Sequence, residues 1–124
     1  MVVLSNHRVG PSSELMVSVE VASEMLAAIA TAARPLAASR WEAELVRWLE
    51  QRASRVGAAF DVGEIAWTPE HFELQREFLI RAAIVAAHSS EHASALRRWT
   101  KLVEALPREA VQVGRRWDWA EISS

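Results

Sequence analysis

Hydrophobic and polar positions change period along the chain, and each change marks an element. Leu15, Val17, Val19 and Val21 alternate with Met16, Ser18 and Glu20, which is the two-residue period of a strand rich in β-branched side chains. From Ser23 onward, Met25, Leu26, Ile29 and Ala33 follow helical spacing until Pro35. Leu15, Val19, Leu26 and Ile29 also fall near one face of a single helix starting at about Ser13. The only other alternating segment is Val111-Gln112-Val113, and a lone short pair of strands is marginal. The expectation is therefore one long helix, with a short strand near residues 15–21 as the alternative.

The second helix is the most clearly signalled. Ser39 and Glu42 have the spacing of a capping box, and Trp41, Leu45, Trp48, Leu49 and Val56 repeat every three or four residues. Gly57 suits the left-handed position that ends it, and residues 58–67 read as a loop or short turn. A third helix is expected to open with Thr68 as cap and Pro69 in its first turn. From Phe78 to Ala87 it is apolar on every side except Arg81, which predicts a central, buried helix. A break is expected at Ser89-Ser90. Beyond it, His92, Leu96, Trp99, Val103 and Leu106 form the seam of a fourth helix closed by Pro107.

Four helices with short connections predict a single all-α four-helix-bundle domain, residues 1–124, whose last segment from Arg108 is an irregular or short-strand C-terminal tail. No repeat or low-complexity tract divides the chain into further domains.

Composition narrows the chemistry. With no cysteine, a disulfide framework, a thiolate zinc site, an iron–sulfur cluster and a cysteine nucleophile are all excluded. Twenty-two alanines and thirteen arginines against one lysine suggest GC-rich coding. Glu20 and Glu24 stand in the middle of the longest apolar stretch, residues 15–33, so it is not expected to span a membrane. Val2, Val3 and Leu4 are too few for a secretory leader core, which makes the cytoplasm the expected location. A net charge of −2 supplies no field for nucleic acid, and no glycine-rich phosphate loop or nucleophile elbow is present.

Four groups of residues remain as candidates. His88-Ser89-Ser90-Glu91-His92 spells H-x-x-E-H, which on a continuous helix places two imidazoles one turn apart with a carboxylate beside them. His88, Glu91 and His92 are thus the candidate metal ligands if the chain is a metal-dependent or small-molecule-binding bundle. The plainer alternative has His88 closing one helix and His92 filling the seam of the next. None of the four histidines has a glutamate three positions before it, which excludes the paired E-x-x-H motifs of di-metal bundles.

The acidic block at residues 61–77 sets five carboxylates against Arg76, and Glu70, Glu73 and Glu77 share one helix face. Residues 97–116 are its basic counterpart, with six cations against Glu104 and Glu109. Four of the six tryptophans follow arginine; Trp41, Trp48 and Trp99 read as core residues edged by arginine stems. Trp117 and Trp119, beside Arg115 and Arg116, lie outside any periodic segment and combine the residue types that dominate interfaces.

Together these features point to a non-enzymatic helical bundle that binds another protein, as inhibitors, adaptors and immunity-type proteins do. The expected contacts are Glu70, Glu73 and Glu77, meeting a basic partner, and Arg115, Arg116, Trp117 and Trp119. No cofactor, nucleic acid or membrane is expected. The helix seams would serve a homodimer as well as a single chain's core.

Overall fold

Three short segments without helical period form a sheet. In the computed structural model, which describes residues 1–6, 14–65 and 67–107, β1 is Val2–Ser5, β2 is Glu14–Val17 and β3 is Ala59–Asp61. β1 lies in the middle, antiparallel to β2 and parallel to β3. The register sets Leu4 opposite Leu15 on one side and Phe60 on the other, and all three are buried. One position earlier on β1, Val3 stands opposite Met16 and Ala59, both exposed. One face therefore joins the core and the other is left outside it, as alternation on a one-sided sheet requires.

The chain is thus α+β, which overturns the all-α four-helix bundle expected from periodicity. The strand near residues 15–21, held as the alternative, is β2, and it stops at Val17. Its partner β1 is four residues long, too short for a period to be read from the sequence. β3 is shorter still and pairs with residues more than fifty positions away.

Ser18 separates strand from helix. It is extended, and its hydroxyl accepts from the amide of Val21 at 3.1 Å, capping α1, Val19–Ala33. After a 3-10 turn at Arg34–Leu36 comes α2, Arg40–Ala53. There the expected capping box is present: the Glu42 amide donates to Ser39 Oγ, and the Ser39 amide to Glu42 Oε1 at 2.8 Å. α2 ends at Ala53, before Val56, and Gly57 adopts its φ of +73° in the loop that follows. A second 3-10 turn, Val62–Glu64, follows β3.

α3 runs from Phe72 to Ser89, starting later than Thr68 and Pro69 suggested. Thr68 belongs to the preceding turn, where its buried amide donates to the carbonyl oxygen of the Gln75 side chain at 3.0 Å. The chain breaks at Ser90, as expected, and α4 follows from Ala93 to Glu104.

α1 packs against α2 and α3, α3 against α4, and α4 reaches β2, so sheet and helices share one core. The buried amide of Asn6 donates to the Leu102 carbonyl at 2.8 Å, fastening the end of β1 to α4. Ser23 does the same for α1 and α2, donating to the Ala53 carbonyl at 2.7 Å. Trp67 and Trp99 are fully buried; Trp67 donates from Nε1 to the Val62 carbonyl at 2.8 Å. Trp41 and Trp48 are half-buried, with their rings against Phe78 and Phe60. Among the described residues, Arg52 lies over the Phe60 ring and Arg76 over that of Phe72.

α3 departs most from expectation. It buries Phe78 and Leu79 together with four alanines, Ala82, Ala83, Ala86 and Ala87, while Leu74, Ile84 and Val85 are 56%, 47% and 45% exposed. The helix is apolar all round between residues 78 and 87, apart from Arg81, but after Leu79 only its alanine side is inside.

Leu4→Ala should remove about 2–5 kcal/mol of unfolding free energy by opening a cavity in the middle of the Leu15–Leu4–Phe60 row. Ser39→Ala should cost about 1 kcal/mol through loss of its cap. Urea unfolding measures both, and a Leu4→Ala loss no larger than that of Ser39→Ala would place β1 outside the core.

Candidate functional site

The break at Ser89–Ser90 sends the two halves of the H-x-x-E-H segment to different places. His88 is in the last turn of α3, and its Nδ1 lies 2.8 Å from the Ile84 carbonyl. A carbonyl only accepts, so this nitrogen carries the proton. The ring lines a groove of about 310 Å3 between α3 and α4, with Ile84, Arg97 and Lys101.

His92 stands beyond the break, its backbone amide donating to Ser90 Oγ at 3.0 Å. Its Nε2 donates to Glu24 Oε2 at 3.1 Å and lies 3.7 Å from Glu91 Oε1. Glu24, Glu91 and His92 each place one ligand-type atom within 4.8 Å of the others. They edge a second groove, of about 640 Å3, between α1 and the end of α3. One imidazole and two carboxylates are ligand types that suit a divalent cation. Of the three residues spelled by the motif, Glu91 and His92 meet here, and His88 does not. Glu24 takes part from α1, sixty-eight positions away from His92, a pairing that sequence spacing gives no means of finding.

The acidic residues fall on or beside the outer face of α3. Glu70 is exposed in the turn before the helix. Glu73 and Glu77 are exposed on the same face as Leu74, Arg81, Ile84, Val85 and His88. Glu77 pairs with Arg81 at 3.4 Å, an exposed contact one turn apart, worth about 0.5 kcal/mol or less. Glu70 and Glu73 have no ion-pair partner among the described residues. Leu74 borders a shallow recess with Trp41 and Phe78. Arg97, Arg98 and Lys101 are exposed on α4 and also lack a carboxylate partner among the described residues. Arg115, Arg116, Trp117 and Trp119 lie outside the described residues.

The outward position of Ile84 and Val85 had a signal in the sequence. At 100° per residue, Ala82, Ala83, Ala86 and Ala87 form one face, and a helix that buries them must turn the larger side chains away. No family model matches this chain, and no curated protein or solved structure is significantly similar to it.

Because His88 and His92 face different grooves, zinc titrated into the protein should act on each independently. His88→Ala should leave the NMR response of the His92 ring unchanged. A response at His92 that disappears with His88→Ala would show that the two imidazoles meet across Ser89–Ser90.

Proposed function

We propose that the chain is a non-enzymatic protein-binding domain of the cytoplasm, and that the exposed face of α3 is its docking surface. One observation carries this reading: α3 leaves Leu74, Ile84 and Val85 outside the core, between charged residues, while its second half buries Ala82, Ala83, Ala86 and Ala87. Large apolar side chains contribute about 1.5–3 kcal/mol each when fully buried, and here that contribution is left for a partner. Glu70, Glu73 and Glu77 give the face an acidic end, which favours a basic partner surface and speeds its approach. Arg115, Arg116, Trp117 and Trp119 are a second anchor in this reading, supported by residue type alone. Among the described residues no helix is long and apolar enough to cross a membrane.

A second reading, a metal- or small-molecule-binding domain, has the Glu24, Glu91 and His92 cluster in its favour, with Glu24 standing where His88 was expected. Calorimetry with zinc tests it. Binding that weakens at least about tenfold in both Glu24→Gln and His92→Gln supports the cluster, and binding unaffected by either dismisses it.

The docking surface is tested by photo-crosslinkers placed at Leu74 and Ile84 in the source cell, with Gln51 on α2 as an exposed control. Adducts should form from the two α3 positions and fall at least about tenfold when Glu73→Lys and Glu77→Lys are introduced together. Adducts forming equally from Gln51, or surviving charge reversal, would remove α3 as the docking surface.

A further inference from the structure

The outer face of α3 is complementary to itself. Along it stand Glu70, Leu74, Glu77, Arg81, Ile84 and His88, at alternating spacings of four and three that keep residues on the seam between two paired helices. Glu70 belongs to the turn just before the helix, and the other five are exposed on it. Turned end for end about Leu79, the row maps onto itself: Glu70 onto His88, Leu74 onto Ile84 and Glu77 onto Arg81. On the helix itself Glu77 meets the Arg81 guanidinium and Leu74 meets Ile84, while Glu70, in the preceding turn, lies towards the His88 end.

We infer that the occupant of this face is a second copy of the chain, docked antiparallel on α3 about a two-fold axis that crosses the exposed face at the level of Leu79, between Glu77 and Arg81. The inference takes the docking surface proposed above as its site and names what fills it. An interface of this symmetry uses the same patch twice, so any contact between two positions occurs again with the chains exchanged. The patch must therefore carry both charges, and α3 does.

The flanking helix fits the same arrangement. A two-fold axis lying in the interface and perpendicular to α3 leaves the α4 helices of both copies on one side of the seam. Glu73, which faces that side, is brought level with Val85 of the other copy. There it approaches the groove in which Arg97 and Lys101 stand beside Ile84 and His88. These two cations and Glu73 all lack ion-pair partners among the described residues of one chain. Association supplies partners to both sets.

The absence of cysteine permits a direct test of this register. Mixing a Leu74→Cys chain with an Ile84→Cys chain under mild oxidation should give a disulfide-linked pair. Neither variant should cross-link with itself, because like positions stand ten residues apart along the seam, roughly 15 Å. A disulfide needs Cα atoms within about 7 Å. In sedimentation equilibrium, Glu77→Arg and Arg81→Glu should each weaken dimerisation at least about tenfold, and the two together should restore it to within about threefold. Efficient self-cross-linking of either cysteine variant, or no rescue in the double charge swap, would overturn the proposed register. A chain that stays monomeric at roughly millimolar concentration would overturn the dimer itself. In that case photo-adducts from Leu74 to a different protein would leave the docking surface standing, whereas their absence would remove both.

Discussion

Alanine on the inner side of α3 is the constraint on which the arrangement depends. Ala82, Ala83, Ala86 and Ala87 are buried, and α1, which packs on this helix, buries Ala22, Ala30 and Ala33. Side chains this small let helices approach closely, and a larger residue at any of these sites would overpack the contact. With the inner positions from residue 82 onward filled in this way, Ile84 and Val85 point outward. Leu74, Ile84 and Val85 are exposed because the fold has no room for them, and Glu73, Glu77 and Arg81 keep that face wet in the free chain. Stability and recognition are divided between two sides of one helix.

The sheet has a different role. It closes the core with the Leu15–Leu4–Phe60 row and, through Asn6, ties the start of the chain to α4. Its energetic weight rests on few residues, since each strand is only three or four long. Three such strands suffice because one side of the sheet is covered by helices, where an isolated pair would be marginal.

Helical parts of this structure were legible where local chemistry decides the outcome. Ser39 with Glu42 marks the start of α2, Ser89-Ser90 marks the break, and Leu96, Trp99, Val103 and Leu106 mark the buried seam of α4 and its continuation. The sheet was not legible, because pairing between β1 and β3 is non-local and neither strand is long enough to show a period. Continued alternation through Val19 and Val21 also blurred the end of β2, which is set by the capping hydroxyl of Ser18. Of the candidate residues, the acidic face was visible from its three- and four-residue spacing. Glu24 was not, since its approach to His92 depends on how α1 lies against the α3–α4 junction. A motif spelled in sequence assumes continuous backbone geometry, and at His88 and His92 that continuity is broken.

The central claim is that Leu74, Ile84 and Val85 of α3 lie outside the core, which Phe72, Phe78, Leu79 and the four alanines fill. Unfolding free energies of Leu74→Ser, Ile84→Ser and Val85→Ser, compared with that of Ala83→Leu, test it most directly when measured at dilution low enough to keep the chain monomeric. The outward substitutions are expected to change stability by no more than about 0.5 kcal/mol. Ala83→Leu is expected to cost about 1–3 kcal/mol through overpacking. Losses of several kcal/mol at Ile84 or Val85, with Ala83→Leu tolerated, would mean that α3 is turned the other way and that the docking face does not exist.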